Sequence, residues 1–359
     1  MHKIVYGLTS DLPQYAGWSA NDIGRQLRDD GNDGVFLKAP REAVGLTTTV
    51  EWIDSLQQAG LKVYASQPVF LASEGLWRQY PGSRPRTAAA APAAVEGWYH
   101  PALPTSASFR AFRLQQFTQL VTSLPLNGVW LDFIRWPARW ERPSPQLYHS
   151  SFDPGTLRQF QQDTHTSIPV PLQETEQTAQ WILNHAAHEW FAWRCLQVSS
   201  FVAETRDILS RINPSALLGI FTVPWIPQHT QSDVKNAQVQ REAVGLTTIV
   251  GQDVDLLSQI TDIVSPMVYH RLTDHQPAWV KGVVDWHTQA ANCAVWPVIE
   301  ALAEPEHFYP AAEFEQACQM ATQSGRSYDH RPLTEGLILF NLAGLLADAS
   351  KHQFWRGLK

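Results

Sequence analysis

Cysteine is scarce in this sequence: its 359 residues include three, Cys195, Cys293 and Cys318. An odd number of cysteines at such wide spacings suits neither a disulfide framework nor a metal knuckle, so we predict three reduced, buried thiols. The histidines are scattered as well. His185 and His188 lie three residues apart on a predicted helix, but no third ligand accompanies them. The sequence therefore predicts no bound metal and no other cofactor.

Basic charge and long apolar runs are also lacking. Lysine and arginine number 27 against 34 acidic residues, and no cluster of basic residues forms the surface that nucleic-acid binding requires. No stretch approaches the ~20 apolar residues of a membrane-spanning helix. The chain opens on the strand-like segment Lys3–Thr9, with no apolar region of a signal peptide before it. We therefore expect a cytoplasmic protein that binds neither nucleic acid nor a membrane; its oligomeric state is left open.

Several common catalytic motifs are missing. No GxGxxG or P-loop follows a predicted strand, which argues against the usual nucleotide cradles. No GxSxG elbow occurs, and Cys195 lies in a predicted helix without a neighbouring base, so a serine or cysteine nucleophile is not indicated. Lys38 is the only lysine at a predicted strand exit. Schiff-base chemistry in a lyase or isomerase depends on that residue and stays an alternative.

Strands and amphipathic helices alternate along the whole chain. The helices include Thr48–Ala59, Ser108–Ser123 and one long helix from about Thr178 to Ile212. Strict alternation predicts a parallel sheet, and eight strands without a nucleotide fingerprint predict a closed α/β barrel of the (β/α)8 type, a TIM barrel. We predict a single domain over residues 1–359. The predicted strands are Ile4–Thr9, Gly34–Ala39, Lys62–Phe70, Val129–Arg135, Leu217–Trp225, Asp262–His270, Ala294–Ala301 and Gly336–Leu342.

Two long loops interrupt the regular pattern, Leu71–Thr105 after the third strand and Ala138 to about Glu176 after the fourth. Loops of such length are functional or disordered. In the first loop, the Ala- and Pro-rich segment Arg84–Ala94 offers little apolar surface to bury, so we predict that it is mobile. The segment Glu96–Pro101 is predicted to dock beside the barrel mouth, with Trp98 on the pocket wall.

A ten-residue segment occurs twice. Arg41–Val50 reads REAVGLTTTV and Arg241–Val250 reads REAVGLTTIV, with nine of ten positions identical. Two short copies do not make a solenoid array. Each copy follows a predicted strand, so both are expected on the loop face of the barrel. Reuse of a loop-to-helix connector and an anion site formed by Arg41 with Arg241 both stay open.

Two apolar strands end at carboxylates. The segment Gly128–Pro137 (GVWLDFIRWP) is apolar on both faces up to Asp132, and the seventh predicted strand ends near Glu300. In a (β/α)8 barrel the C-terminal strand ends form the active face. A carboxylate buried there is costly unless it is paired or catalytic, so both residues are candidates for a functional site. Alternatively, Asp132 caps the following loop and Glu300 pairs with Arg135.

Two carboxylates across an aromatic pocket suit glycosidic cleavage, in which one protonates the leaving oxygen and the other attacks the anomeric carbon or activates water. The sequence is also rich in tryptophan, with 15 residues whose flat faces suit sugar rings. We predict Asp132 as nucleophile or base and Glu300 as the acid. A barrel that binds saccharide without cleaving it is the alternative. Further candidate sugar-binding residues at strand ends and loops are Arg135, Trp136, Trp225, Tyr269, His270, Trp98, Asn341 and Asp253.

For Asp253, capping of the helix Val254–Ile260 is the alternative role. Arg135 and His270 are expected to fix charge and protonation at the site. The two carboxylates are predicted to open into one pocket.

The strand end LDFIRWP resembles the D-[YF]-[IV]-R-[YF]-P element of largely uncharacterised glycoside hydrolase families with (β/α)8 barrels. The resemblance continues at Gly251–Asp253 (GQD), Ser265–His270 (SPMVYH) and Trp296–Ile299 (WPVI), and covers roughly residues 1–345. The Met-x-Tyr element is similar to that of chitinase-type barrels. The resemblance implies glycosidase activity on a carbohydrate, by analogy of fold and motif.

The chain departs from these families in two ways. It has no chitinase DxxDxDxE motif, so substrate-assisted cleavage by that dyad is not implied. It reads FDPGTL at Phe152–Leu157, where the similar proteins often have FCPxCL, so the resemblance implies no metal or disulfide at that loop. The sugar, the linkage and the stereochemical outcome are left open.

Overall fold

The computed structural model describes residues 1–9, 12–37, 46–93, 97–141, 146–147, 151–225, 249–304, 307–323 and 334–358. The strands are β1 (His2–Leu8), β2 (Gly34–Leu37), β3 (Lys62–Pro68), β4 (Gly128–Asp132), β5 (Ala138–Arg139), β6 (Gln146–Leu147), β7 (Leu217–Thr222), β8 (Ile263–Pro266), β9 (Ala294–Val295), β10 (Val298–Glu300) and β11 (Gly336–Phe340). The helices are α1 (Ala20–Asp29), α2 (Leu46–Gln58), α3 (Glu74–Gln79), α4 (Ala107–Ser123), α5 (Pro154–Thr164), α6 (Thr175–His185), α7 (Ala187–Ile212), α8 (Val254–Ser258), α9 (Pro277–Ala290), α10 (Ala311–Thr322), α11 (Leu342–Ala347) and α12 (Ala349–Gly357).

The parallel sheet closes into the predicted barrel. The order of its strands is β10-β11-β1-β2-β3-β4-β7-β8-β9. The two edge strands, β9 and β10, are consecutive pieces of one barrel strand. This barrel strand is interrupted at Pro297, which has no N–H to donate. Met267 bridges to Val298, and the Val268 amide donates to the Val298 carbonyl at 3.0 Å, so the end of β8 also pairs with β10. With β9 and β10 counted as one, the described part of the chain forms eight barrel strands, as the alternation of strands and helices predicts.

Aromatic rings fill the barrel interior. The rings of Trp130 and Trp296 stack at 5.7 Å between centroids. Glycine is required opposite each: a Cβ at Gly219 would lie 2.1 Å from the Trp130 ring, and one at Gly336 would lie 2.7 Å from the Trp296 ring. Other rings of this layer are those of Tyr6, Phe36, Tyr64 and Phe221. The barrel is therefore a packed core, and any site lies at its mouth.

The long helix predicted from Thr178 to Ile212 is wrong. The chain forms two helices, α6 and α7, separated at Ala186, whose backbone leaves the helical region with φ −139° and ψ 27°. The break lets the start of α7 pack on the neighbouring insertion. There Trp190 stacks on Phe152 with centroids 5.1 Å apart.

The Ala- and Pro-rich half of the loop after β3 is organised by its backbone. The Thr87 amide donates to Ala91 at 2.8 Å, and the Ala93 amide donates to Pro85 at 2.8 Å. The Arg86 carbonyl accepts the amide of Ser151, which ties this half to the insertion after β4. The composition of this segment indicates only how little apolar surface it can bury, and does not reveal these backbone hydrogen bonds. The greater mobility of this half stays a prediction.

Candidate active site

Asp132 ends β4 on the interior face of the barrel. Its Oδ1 accepts the amide of Phe133 at 2.7 Å, and Phe133 takes a left-handed conformation with φ 50° where the strand turns into the loop. The residue keeps partial solvent exposure. Burial raises the pKa of Asp132 to about 6, against the lowering effects of Arg135 and the Phe133 amide, and the charge of Glu141 raises it further. Asp132 is thus a carboxylate that titrates close to neutral pH.

Glu300 ends β10 and pairs with Phe340, so it shares the interior face of the sheet with that residue. It is fully buried. Its Oε1 accepts the amide of Arg271 at 2.6 Å, whereas its Oε2 has no hydrogen-bond partner. Burial raises the pKa of Glu300 to about 8, although the amides of Arg271 and Leu272 lower it. At neutral pH Glu300 is therefore protonated, and the proton belongs on Oε2 because Oε1 accepts the Arg271 amide.

Tyr269 is a buried residue whose phenol is affected by both carboxylates. Its ring stacks on Trp140 and on Phe340, each with centroids 5.5 Å apart. The pKa of its phenol is raised well above the usual value, first by burial and then by the charges of Asp132, Tyr6, Glu300 and Glu141. The phenol thus senses carboxylates from opposite sides of the barrel.

Several residues at the strand ends carry buried polar atoms without hydrogen-bond partners. Among the described residues they include all three guanidinium nitrogens of Arg135, Nε1 of Trp140, Oε2 of Glu141, Nδ1 of His270 and Oε2 of Glu300. Buried polar groups in folded proteins are nearly always satisfied, and exceptions call for a functional explanation. These atoms are therefore candidates for hydrogen bonds to a ligand.

Arg135 interacts with both acidic residues on the β4 side, Asp132 and Glu141. Its guanidinium lies 4.8 Å from the Phe133 ring centroid, and its Nη2 lies 3.8 Å from Oε1 of Glu141. The side chain is 2% exposed. The ion pair with Glu300 that the sequence left open is not the one formed, because Arg135 pairs with Glu141.

The docked half of the loop after β3 lies beside Asp132. Trp98, 55% exposed, meets the Phe133 ring edge-on with centroids 5.7 Å apart. Its neighbour Tyr99 is buried and accepts the amide of Ala138 at 3.1 Å. An exposed indole therefore stands next to the residue that follows Asp132, as the sequence predicts for this half of the loop.

Three predicted sugar-binding residues have structural roles: Trp136, Asn341 and, as described below, Asp253. Trp136 is fully buried, and its Nε1 donates to the Arg194 carbonyl at 3.0 Å, so its ring faces α7 and not the mouth. The Oδ1 of Asn341 accepts the Gly344 amide at 2.9 Å and caps α11. Local patterns do not distinguish a strand-end amide that binds a ligand from one that caps a helix.

Asp253 is the helix cap that the sequence gave as its alternative role. Its Oδ1 accepts the amides of Asp255 at 3.1 Å and Leu256 at 3.3 Å at the start of α8. His270 is fully buried, and its Nδ1 lies 3.6 Å from Oε1 of Glu300; its contact with a sugar stays a prediction. Trp225 is 4% exposed and directly precedes residues 226–248, which lie outside the described part of the chain.

Glu141, Trp140 and Glu313 are site residues that sequence reasoning missed. Trp140 and Glu141 lie in the insertion after β4, three and four residues past Pro137 at the end of the strand-end motif. No periodic pattern there indicates which side chains return to the barrel. Glu313 lies in the first turn of α10, where acidic residues are common because they favour the helix dipole. No local signal separates it from such a residue.

Other expectations fall outside the described residues, among them those for Lys38, Arg41 and Arg241. Within the described ranges, no group of three or more His, Cys, Asp or Glu side chains is arranged to hold a metal. None of the three cysteines forms a disulfide, and Cys195 and Cys318 are buried. None of the helices in the described part of the chain combines the length and apolar character needed to cross a bilayer.

The fold is similar to the barrels of several glycoside hydrolases of known structure. A β-galactosidase from the psychrophilic Marinomonas ef1 is similar at 12% identity and a TM-score of 0.65, over 99% of this chain and 58% of that chain. The PgaB (BpsB) glycoside hydrolase domain from Bordetella bronchiseptica is similar at 11% identity and a TM-score of 0.66, over 99% of this chain and 98% of that chain. An α-L-fucosidase isoenzyme 2 from Paenibacillus thiaminolyticus is similar at 12% identity and a TM-score of 0.56, over 99% of this chain and 48% of that chain.

The chain spans about half the length of the galactosidase and fucosidase chains and nearly all of the PgaB domain. At these identities the similarity concerns the fold. No protein-family model matches the sequence, and a search of curated proteins finds no match.

Proposed function

We propose that this protein is a glycoside hydrolase that cleaves an O-glycosidic bond of an oligo- or polysaccharide at the barrel mouth. The observation that carries the proposal is a pair of interior carboxylates whose surroundings separate their pKa values, about 6 for Asp132 and about 8 for Glu300. Two titratable groups pushed apart in this way are what acid and base roles require. The barrel fold shared with galactosidases, a fucosidase and PgaB supports the substrate class.

The two carboxylates take different roles. At neutral pH Asp132 is mostly ionised and acts as nucleophile or as the base that activates water. Glu300 is protonated and donates from Oε2 to the leaving oxygen, while the Arg271 amide holds Oε1. Tyr269, whose phenol is affected by the charges of both carboxylates, is the candidate to hydrogen-bond the sugar, and Trp98 is the candidate to stack on it.

Glu141 is the alternative partner for Asp132. It lies in ion-pair range of Arg135, and its charge raises the pKa of Asp132. Its side chain is 22% exposed, whereas that of Glu300 is 1% exposed. A barrel that binds saccharide without cleavage is the second alternative. It is favoured by the full burial of Glu300, which a purely structural carboxyl group would also show.

The test uses leaving groups of different acidity. The protein is assayed against oligosaccharides and against dinitrophenyl glycosides of the same sugars, whose leaving group departs without a proton. Asp132→Asn is expected to lose roughly 10³-fold or more in kcat/KM on both kinds of substrate. Glu300→Gln is expected to lose about 10²–10⁴-fold on oligosaccharides and little on dinitrophenyl glycosides, because only the acid's contribution is removed.

Glu141→Gln is the matched comparison. If it shows the leaving-group pattern expected for Glu300→Gln, the acid role passes to Glu141. Saccharide binding by calorimetry without hydrolysis of any substrate would favour the binding barrel and overturn the proposal.

A further inference from the structure

His270 lies between two carboxylates from distant parts of the chain. Its Nε2 is 3.1 Å from Oε1 of Glu313 on α10, and its Nδ1 is 3.6 Å from Oε1 of Glu300. His270 and Glu300 are fully buried, whereas the Glu313 side chain is 23% exposed. The three residues thus connect the candidate acid to the edge of the protein.

The hydrogen bond to Glu313 determines which imidazole nitrogen carries the proton. A carboxylate only accepts, so Nε2 is the donor. Burial lowers the pKa of His270, which keeps the ring neutral and leaves Nδ1 with a lone pair. Nδ1 has no hydrogen-bond partner and faces Oε1 of Glu300. A lone pair facing an ionised carboxylate is unfavourable, so this arrangement favours the neutral acid form of Glu300.

The charge of Glu313 acts in the same direction. It raises the pKa of Glu300, after the larger effect of burial. Arg271 offsets part of that charge, because its Nη1 lies 3.9 Å from Oε1 of Glu313. Burial is the largest effect on the imidazole pKa and lowers it; the hydrogen bond and charge of Glu313 raise it, whereas Arg271 and His275, both in the loop of His270, lower it further.

The remaining groups around the imidazole come from the outer elements. Tyr309 packs edge-on against His270 with centroids 5.1 Å apart, and its hydroxyl donates to the Glu300 carbonyl. Lys351 on α12 lies 4.2 Å from the Tyr309 ring centroid and 3.7 Å from Asp348. The ammonium is therefore held by a ring and a second carboxylate. Burial lowers the Lys351 pKa, and the charges of Asp348, Glu300 and Glu313 offset part of this lowering.

We propose that Glu313 and His270 are positioning residues that hold Glu300 in its protonated form, ready to donate to a leaving group. The inference rests on the proposed role of Glu300 as the acid. Glu313 acts through its charge and through the proton that it keeps on Nε2, and His270 acts by presenting a bare Nδ1. Both residues act through Glu300, because the His270 ring faces Glu300 and Glu313 lies on the far side of that ring.

The first test needs no substrate. The infrared band of the protonated Glu300 carboxyl group is assigned by its loss in Glu300→Gln and titrated with pH. In Glu313→Gln the midpoint of this titration is expected to fall by roughly 1 pH unit, because a like charge is removed. In His270→Asn it is also expected to fall, because an amide N–H can donate to Oε1. Glu313→Asp keeps the charge and is expected to keep the midpoint.

Glu315→Gln is the matched control, since it removes one charge from an exposed position of the same helix and is expected to leave the midpoint unchanged. Thermal melting establishes that each variant folds. Unchanged midpoints in both Glu313→Gln and His270→Asn would overturn the inference.

The second test uses the enzyme reaction. In Glu313→Gln the alkaline limb of kcat/KM on oligosaccharides should move down by the same interval, with KM unchanged and with full activity on dinitrophenyl glycosides. If the infrared midpoint moves but the alkaline limb does not, the positioning role in catalysis is wrong. If the wild-type protein hydrolyses nothing, the proposed function fails, and the infrared titration still decides whether Glu313 and His270 hold the proton on Glu300.

Discussion

Nη2 of Arg135 lies 3.8 Å from Oε1 of Glu141, and this guanidinium is the charge that most lowers the pKa of Asp132. Glu141 acts in the opposite direction and raises the pKa of Asp132. Burial is the largest cause of the raised pKa of Asp132. A cation of its own strand end and an anion from the following insertion then shift the ionisation of this candidate nucleophile in opposite directions. Both are buried enough for solvent to screen them weakly.

Replacement of Arg135 should disturb this balance in one direction. In Arg135→Met the pKa of Asp132 is expected to rise, because the lowering charge is lost and the raising charge of Glu141 stays. The acidic limb of kcat/KM should therefore move to higher pH, by roughly 1 unit. The pH profile measures the shift. Arg158→Met, at an exposed position of α5, is the control and should leave the limb in place.

The wild-type enzyme should have a bell-shaped pH profile. Activity requires an ionised Asp132 and a protonated Glu300, so kcat/KM should rise through about pH 6 and fall through about pH 8. In Glu300→Gln, assayed on dinitrophenyl glycosides, the alkaline limb should disappear and the acidic limb should stay. An alkaline limb that persists in this variant would assign it to another group.

Glu300 should also affect the pH dependence of stability. The raised pKa of about 8, against an ordinary value of 4.5, means that the folded protein holds a proton between these pH values that the unfolded chain has released. The free energy of unfolding should therefore fall as pH rises from 5 to 8, by roughly 2–4 kcal/mol more than in Glu300→Gln. Urea unfolding at the two pH values measures the difference. Glu315→Gln should follow the wild type.

Trp98 should affect substrate affinity without affecting folding. The side chain is 55% exposed, so Trp98→Ala removes little buried surface and should leave the melting temperature nearly unchanged. If the indole stacks on the sugar, KM should rise about 5-fold, which corresponds to roughly 1 kcal/mol. Trp18→Ala is the control at a similarly exposed tryptophan, 45% accessible, in the loop after β1. Equal effects of the two variants on KM would remove Trp98 from the site.

The interior ring layer should tolerate no side chain at Gly219. A Cβ there would lie 2.1 Å from the Trp130 ring, so Gly219→Ala should lower the free energy of unfolding by about 1–3 kcal/mol or more. Gly282→Ala is the matched control. It lies inside α9 with no atom within 4 Å of an added Cβ, and the substitution should stabilise the helix by about 0.5–1 kcal/mol. Calorimetric melting of both variants tests the packing of the barrel core.

The sequence alone was sufficient for the barrel and for the strand-end position of its carboxylates. Period-two strands, period-3.6 helices and their alternation are local patterns, and right-handed crossovers leave few ways to join eight such units. Asp132 and Glu300 could be identified as candidates because each ends a parallel strand, and the C-terminal ends of parallel strands meet at the mouth of the barrel. Trp98 could be named because its neighbours offer aromatic surface for docking.

Only the tertiary structure decided which side chains share the mouth. Trp136 turns outward to Arg194, and Asn341 and Asp253 cap helices, although each stands at a position that suited ligand binding. Glu141 and Glu313 meet the site from an insertion and from an outer helix, and Glu313 is 43 residues from the His270 that it contacts. Sequence periodicity specifies a face within one element. Contacts between elements depend on where the connecting loops return, and no local pattern carries that information.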